Sequence, residues 1–285
     1  MLNKDNENII FNDFWEKVNY QYRFWQDFEI AIVNDSIVYR FPKKQIDFET
    51  LLIEKKITDV VKDNVSIMIP ELEIVEWKWF KYNLIQWSDM KNIDILWLSD
   101  NYKDILVNSL VNIIRELHSI PIFKFSFLEK DINQGRIYFF NIIKNKIEKR
   151  LKWKIDRKYI NYLIKYIDNF SKLQFSKLSF VHTDIKKANI IIDNTKFKIN
   201  WLIDFSNSRI TWIEEEFIFF FLEFWEEIFN EIIKQYLWKK DFSFSEKIKF
   251  ISKKVLIFQI LDDDLYFNNF SYLENKIKNF TKQKK

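Results

Sequence analysis

The sequence predicts an α+β fold in two lobes: a small antiparallel sheet with one helix, then a larger and mainly helical region. Three observations carry this. Residues 28–41 alternate apolar and polar on either side of Asn34-Asp35, the period of half-buried strands. From Asp100 onward apolar residues recur at helical spacing instead. Amid those helices a single stretch, Phe180 to Ser206, returns to short strands and sets Asp184, Asn189 and Asp204 at their ends.

In order, residues 8–20 read as a short helix or lead-in. Phe28–Val33 and Ile37–Phe41 read as a hairpin, because Asn and Asp tolerate the left-handed backbone of a tight turn. Pro42 ends the second strand. Phe48–Val61 has helical spacing, with Leu51, Leu52, Ile57, Val60 and Val61 apolar and Glu54 among them. Glu71–Val75 and Tyr82–Ile85 read as strands around a turn at Trp77–Trp79. The lobe boundary falls near Leu84–Met90, dividing the chain into 1–86 and 87–285.

Beyond it, Asp100 is placed to cap a helix that Pro121 stops soon after His118. Leu128–Arg150, interrupted near Gln134-Gly135, and Lys158–Phe170 read as amphipathic helices. Ile190–Ile192 and Trp201–Ile203 pair about a turn at Asp193-Asn194, as the only strands of this half. Glu214–Tyr236, Ser245–Tyr266 and the short Tyr272–Phe280 complete the helices.

Composition narrows the partners. The net charge of +4 over 285 residues comes from interleaved lysines and acids, with a basic cluster only at residues 282–285. This describes a solvated surface and disfavours nucleic acid as a partner. Cysteine is absent, which excludes disulfides, thiolate metal sites and cysteine nucleophiles and suits a reducing compartment. The first ten residues are polar and acidic, unlike a secretory signal. The apolar run Phe217–Phe221 is far shorter than the roughly 20 residues of a membrane span. A cytoplasmic monomer without membrane attachment is expected.

One feature of composition is abnormal. The chain has one glycine, Gly135, where average usage of about 7% gives roughly 20, and it has 11 tryptophans. Glycine supplies positive φ and close backbone approach that no other residue replaces cheaply. Tryptophans also stand in turn-like settings, such as Trp87 before Ser88-Asp89 and Trp212 between Thr211 and Ile213. UGA is a stop in the standard genetic code, tryptophan in one variant code and glycine in another. Many of these tryptophans are therefore expected to be glycines in the living protein.

The chemistry concentrates at Phe180–Ser206. A loop carboxylate can orient a hydroxyl, while an amide and a second carboxylate can hold magnesium; phosphoryl transfer from a nucleotide needs these groups. The motif His182-Thr183-Asp184-Ile185-Lys186-Lys187-Ala188-Asn189-Ile190-Ile191, with Trp201-Leu202-Ile203-Asp204-Phe205 after it, resembles the HGDLxxxNIL and GxIDF signature of the aminoglycoside phosphotransferase family, within the protein-kinase-like fold. Trp25, Trp87 and Trp201 stand where that family has glycines. Thr183 departs from it, replacing the usual glycine after His182.

The resemblance implies a kinase using ATP or GTP with a magnesium ion (Mg2+) and moving the γ-phosphoryl to a small-molecule hydroxyl. It implies Asp184 as the catalytic carboxylate and Asn189 and Asp204 as metal ligands, with His182 bracing the loop. It implies a basic residue facing the α/β-phosphates, Arg40 or alternatively Lys43, with Glu54 paired to it. Arg23–Phe28, including Trp25, Gln26 and Asp27, would cover the phosphates, and Tyr82–Met90 would hold the base. Glu216 best fits a residue that braces the catalytic loop. Asp262–Asp264 with Glu223, Glu226 and Glu227 could attract a cationic acceptor or simply form solvated helix faces. An aminoglycoside-like acceptor, and with it a possible role in antibiotic resistance, stands against choline, another amino alcohol or a sugar. It also stands against a nucleotide-binding module without catalysis.

Overall fold

The structure is a computed structural model and describes all residues except 1–3, 15–18, 25–27, 77–78, 86–87, 91–92, 94–97, 129–131, 194, 197, 239–240, 267–269 and 283–285. The chain runs α1 (Lys4–Phe14), β1 (Tyr20–Phe24), β2 (Phe28–Val33), β3 (Ile37–Pro42), α2 (Gln45–Val61), β4 (Glu73–Val75), β5 (Trp79–Asn83), β6 (Ser88–Asp89) and α3 (Asp100–Ser119). It continues with α4 (Ile132–Leu151), α5 (Arg157–Ser171), β7 (Leu178–Val181), β8 (Ile190–Asp193), β9 (Lys198–Leu202) and β10 (Arg209–Trp212). The last helices are α6 (Ile218–Glu223), α7 (Glu226–Leu237), α8 (Phe242–Tyr266) and α9 (Phe270–Lys282). Packing divides this α+β chain into Met1–Phe125 with His182–Arg209, and Ser126–Val181 with Ile210–Lys285. The expected boundary at residues 86 and 87 lies outside the described residues.

In the first unit β1–β5 form one antiparallel sheet in the order β1-β2-β3-β5-β4. Alternation along the strands decides what each face meets. Ala31, Val33, Tyr39 and Phe41 pack on Ile9 and Ile10 of α1. On the opposite face Phe80, with Phe28, Ile74 and Tyr82, packs on Leu51 of α2. Arg40, one residue from Tyr39 and Phe41, therefore lies on the α2 side. At the β2–β3 turn Asn34 and Asp35 have φ of 50° and 49°, and the Ser36 N–H bonds to Val33 O at 3.0 Å. The turn chemistry of the sequence is realised here.

A second sheet, in the order β6-β8-β9, carries the polar loop. Ser88 and Asp89 pair with Ile192 and Ile191, and Ile190 pairs with Leu202. Met68 bridges to Trp201. α3 ends at Ser119 because Ile120, just before Pro121, is extended at ψ 124°, the region proline imposes on its predecessor.

In the second unit α4, α5, α8 and α9 share a core that includes Ile147, Ile160, Leu163, Ile260, Leu273 and Ile277. α5 buries Tyr159, Ile160, Leu163, Tyr166, Ile167 and Phe170, one stripe at helical spacing. The Asp156 side chain caps it by accepting from the Lys158 N–H. β7 pairs with β10.

Several local expectations are corrected. β1 is a strand over Tyr20–Phe24, just beyond the expected helix or lead-in of residues 8–20 and where no strand was expected. β5 begins at Trp79, and β6, β7 and β10 add strands to the half expected to hold only two. Asp100 opens α3 rather than capping it, since Ser99 is the N-cap, without a side-chain bond. Gly135 does not interrupt α4, and no glycine has positive φ. The helix expected over 214–236 divides into a 3-10 turn (Ile213–Phe217), α6 and α7, with Phe224 extended between them. Phe217, Phe220, Phe224 and Phe229 are all buried, so an apolar run conceals the break.

The tryptophans take up unusual places. Trp238 closes α7 in the left-handed region, φ 57° and ψ 17°, with 82% of its surface exposed. Glycine is the usual residue at such a helix end. The indole nitrogens of Trp201 and Trp212 are buried with no acceptor among the described residues. Trp25 and Trp87 lie outside the described residues.

Candidate active site

The loop between β7 and β8 is held by its own buried side chains. His182 is fully buried; its Nδ1 accepts from the Asp184 N–H at 3.3 Å and its Nε2 lies 3.2 Å from Ile203 O. Those partners assign the neutral tautomer with the proton on Nε2. The ring packs on Phe205 with centroids 4.4 Å apart. His182 thus ties the Asp184 loop to the chain leaving β9.

Thr183 holds φ 65°, and its Oγ1 donates to Asn207 O at 2.9 Å. A β-branched residue in this region is an outlier costing about 1–2 kcal/mol. Thr183→Gly removes that cost together with the hydrogen bond, so stability is expected to change by no more than about 1 kcal/mol. Thr183→Val keeps the strain and loses the bond, and is expected to be destabilised by about 1–3 kcal/mol. Urea unfolding compares them, and a valine variant as stable as the parent contradicts this account.

Asp184 and Asn189 are both buried and face one another. Asn189 Nδ2 donates to Asp184 O at 2.9 Å and to Oδ2 at 3.1 Å. Lys186 Nζ reaches the same Oδ2 at 2.8 Å. Among the described residues no donor meets Asp184 Oδ1. The Asn189 carbonyl accepts the Ile203 N–H at 3.1 Å, which places Asp204 next in line. Asp204 has φ 66°, a conformation aspartate tolerates, and its Oδ1 accepts from Ser206 Oγ at 2.7 Å.

The sheet contributes a buried cation. Arg40 Nη1 lies 3.0 Å from Glu54 Oε2, and its guanidinium stacks 4.5 Å from the Phe28 ring centroid. The Phe205 N–H also reaches the Glu54 carboxylate, joining α2 to the segment that carries Asp204. Burial pushes the Glu54 carboxyl above the usual range, against the pull of Arg40 and with Asp204 adding to the rise. Burial opposes the charge on Arg40, yet Glu54, Tyr82 and Asp204 together hold its pKa above the ordinary value. Tyr82 is held up by burial, with Arg40 pulling it down and Glu54 and Asp204 adding to the rise.

Arg40→Ala, which leaves Glu54 alone in the interior, is expected to cost about 3–5 kcal/mol. Arg40→Met combined with Glu54→Leu is expected to recover most of it, since a buried ion pair gains little over apolar side chains of similar volume. Urea midpoints decide, and an Arg40→Ala protein as stable as the parent overturns the pairing.

Other expected residues are placed differently. Lys43 is exposed in the bend after β3, and the residue that pairs with Glu54 is Arg40. Trp25, Gln26 and Asp27 lie outside the described residues, as do the side chains of Asp262–Asp264. Glu226 pairs with Lys249 at 2.8 Å, and Glu223 and Glu227 are exposed. Glu216 is fully buried in the turn after β10. Its neighbour Glu214, not singled out in the sequence, accepts from Ser176 N and Oγ and from Lys247 Nζ, each at 2.9 Å. Lys186 and the Phe205 N–H were also missed. A basic side chain two residues from Asp184 was a readable signal, whereas a backbone donor leaves none.

The oxygens fit a hard divalent cation. With Nδ2 turned to Asp184, the Asn189 Oδ1 has no donor among the described residues, nor has Asp204 Oδ2; both are the hard ligands magnesium takes. No group of three His, Asp or Glu side chains suited to a metal occurs among the described residues, so phosphate and water oxygens would complete such a shell.

This fold defines a phosphotransferase of the protein-kinase-like class. The model of the phosphotransferase enzyme family matches residues 28–243, and the chain belongs to that family. No curated protein matches it. Among solved structures it is similar to the GDP and kanamycin complex of APH(2″)-IIIa, with TM-score 0.81, 15% identity and 99% of each chain covered. It is also similar to ADP-bound aminoglycoside phosphotransferase APH(2″)-Ib, with TM-score 0.80, 17% identity and coverage of 98% of this chain and 97% of that one. A macrolide 2′-phosphotransferase of type I follows, with TM-score 0.72, 16% identity and 98% of each chain covered. Among the described residues no helix is long and apolar enough to cross a membrane.

Proposed function

We propose that the protein transfers the γ-phosphoryl group of ATP or GTP to a hydroxyl of a small molecule, with an aminoglycoside-like amino sugar as the favoured acceptor. One observation carries this reading. Asp184 is buried and anchored through Oδ2 while Oδ1 stays open, beside the cation-fitting oxygens of Asn189 and Asp204. Oδ1 orients the acceptor hydroxyl and takes its proton as the hydroxyl oxygen bonds to the γ-phosphorus. The bond from that phosphorus to the bridging oxygen breaks, and the nucleoside diphosphate leaves. Arg40, fixed by Glu54, neutralises the α/β-phosphates. Asn189 and Asp204 would hold magnesium, which when bound neutralises charge on the phosphates. Functionally the chain divides at residues 86–87 into a nucleotide lobe and a catalytic lobe, and it acts as a cytoplasmic monomer.

The solved structures it resembles include complexes with GDP and kanamycin and with ADP, which supports a nucleotide and a small-molecule antibiotic as partners. The macrolide enzyme, similar over the same share of the chain, makes a macrolide the second acceptor to test. Choline, other amino alcohols and sugars remain in-class rivals, because fold does not set substrate. A purely nucleotide-binding module has no use for a buried, anchored Asp184. Purified protein is to be assayed for nucleoside diphosphate release from ATP or GTP with magnesium, against aminoglycosides, macrolides, choline and sugars. It is prepared both with its tryptophans and with Trp25→Gly, Trp87→Gly and Trp201→Gly. Acceptor-dependent release is expected. A folded protein that binds nucleotide yet transfers to none of these classes overturns the reading.

A further inference from the structure

The family signature leaves residues 186–188 unspecified, yet this chain places a lysine at 186 whose ammonium touches the carboxylate of Asp184. A carboxylate turns easily about its last torsion, which has broad and roughly two-fold preferences, so nothing intrinsic to aspartate decides which oxygen faces outward. Here two donors choose. Lys186 Nζ at 2.8 Å and Asn189 Nδ2 at 3.1 Å converge on Oδ2, and among the described residues none reaches Oδ1. The ammonium bond is charge-assisted and is the stronger constraint of the two. The loop itself holds Lys186 in reach: the Lys186 N–H bonds to Asp184 O at 2.8 Å, and the Asn189 N–H bonds to Lys186 O at 2.8 Å. The Lys186 side chain is one-third exposed while that of Asp184 is 7% exposed, so the lysine covers the buried oxygen from the solvent side.

We propose that Lys186 is a positioning residue that pins Oδ2 of Asp184 and thereby presents Oδ1 to the acceptor hydroxyl. The inference rests on the phosphotransfer reading for its catalytic consequence. It leaves the anchoring itself testable without turnover. Asn189 Nδ2 has a hydrogen for Oδ2 and another for the Asp184 main-chain oxygen, but its bond to Oδ2 is the longer and comes from an uncharged donor, so it is the weaker hold on the carboxylate.

Two variants test this, Lys186→Met, which keeps length without charge, and Lys186→Arg, which keeps the charge. High-resolution crystal structures of the parent and both variants show the Asp184 carboxylate directly. In Lys186→Met it is expected to turn or to occupy two orientations, and in Lys186→Arg to keep the parental one. With an accepted substrate, Lys186→Met is expected to lower kcat about 10–100-fold, the scale of a misplaced reacting group, with nucleotide KM within about threefold. Lys186→Arg should restore at least a third of parental kcat. A carboxylate unmoved in Lys186→Met overturns the proposal, and so does a loss confined to nucleotide KM, which would make Lys186 a phosphate contact. A parent inactive towards every acceptor overturns the phosphotransfer reading instead, and the crystallographic comparison still decides the role of Lys186.

Discussion

Asp184→Ala is expected to lower acceptor-dependent transfer by about 10²–10⁴-fold, the usual contribution of a positioned general base. Nucleotide affinity should change little, because Arg40 and Glu54 form their pair without Asp184. Stability should change little as well. Asn189 Nδ2 keeps its bond to the main-chain oxygen of residue 184, and Lys186, already one-third exposed, can turn to solvent. Asp184→Asn is the sharper control, since it keeps shape and most packing while removing the proton acceptor. Steady-state kinetics with the best acceptor, beside a urea melt and nucleotide titration, separate these effects. Activity retained in Asp184→Ala would remove the carboxylate from the mechanism, and joint loss of stability would make it a structural residue.

Trp238→Gly is expected to stabilise the protein, because it relieves the roughly 1–2 kcal/mol that left-handed backbone costs a residue with a Cβ. Glycine's greater backbone freedom favours the unfolded chain by roughly 0.5–1 kcal/mol, so a gain survives only if the strain is real. With 82% of its surface exposed, Trp238 has little packing to lose. Trp201 supplies the contrast. In a protein selected with tryptophan there, Trp201→Gly would open a cavity and cost about 3–5 kcal/mol. In a protein whose own residue is glycine, the change relieves a buried indole N–H without an acceptor and should be neutral or stabilising. The sign of the change therefore separates the two histories, and the gene offers an independent check. UGA codons at 201, 212 and 238 are expected; UGG at these positions would end the idea. Among the described residues six non-glycine residues hold positive φ while the single glycine sits within a helix, the reverse of ordinary usage.

Much of the site was legible because its signals are local. The spacing His182–Asp184–Asn189–Asp204, with apolar residues between, places three polar side chains at strand ends whatever surrounds them. Strand alternation put Arg40 with Val38 on one face and helical spacing put Glu54 in a helix, while the pairing of Glu54 with Arg40 or Lys43 was implied by the family resemblance. Turn chemistry located Asn34-Asp35 for the same reason. The failures were of another kind. The break at Phe224, the strands β1 and β10, and the role of Glu214 depend on what each segment meets, and apolar runs or isolated acids do not announce their partners.

By itself the sequence determined the polar loop, the hairpin that presents a basic residue, and the family to which the chain belongs. These follow from residue type and short spacing, which steric preferences and backbone periodicity translate directly into structure. Only the tertiary structure decided that Arg40 rather than Lys43 meets Glu54, that His182 carries its proton on Nε2, and that Oδ1 of Asp184 is the open oxygen. Each is a choice between chemically equivalent partners. Burial and hydrogen-bond geometry settle such choices only once distant segments of the chain have come together.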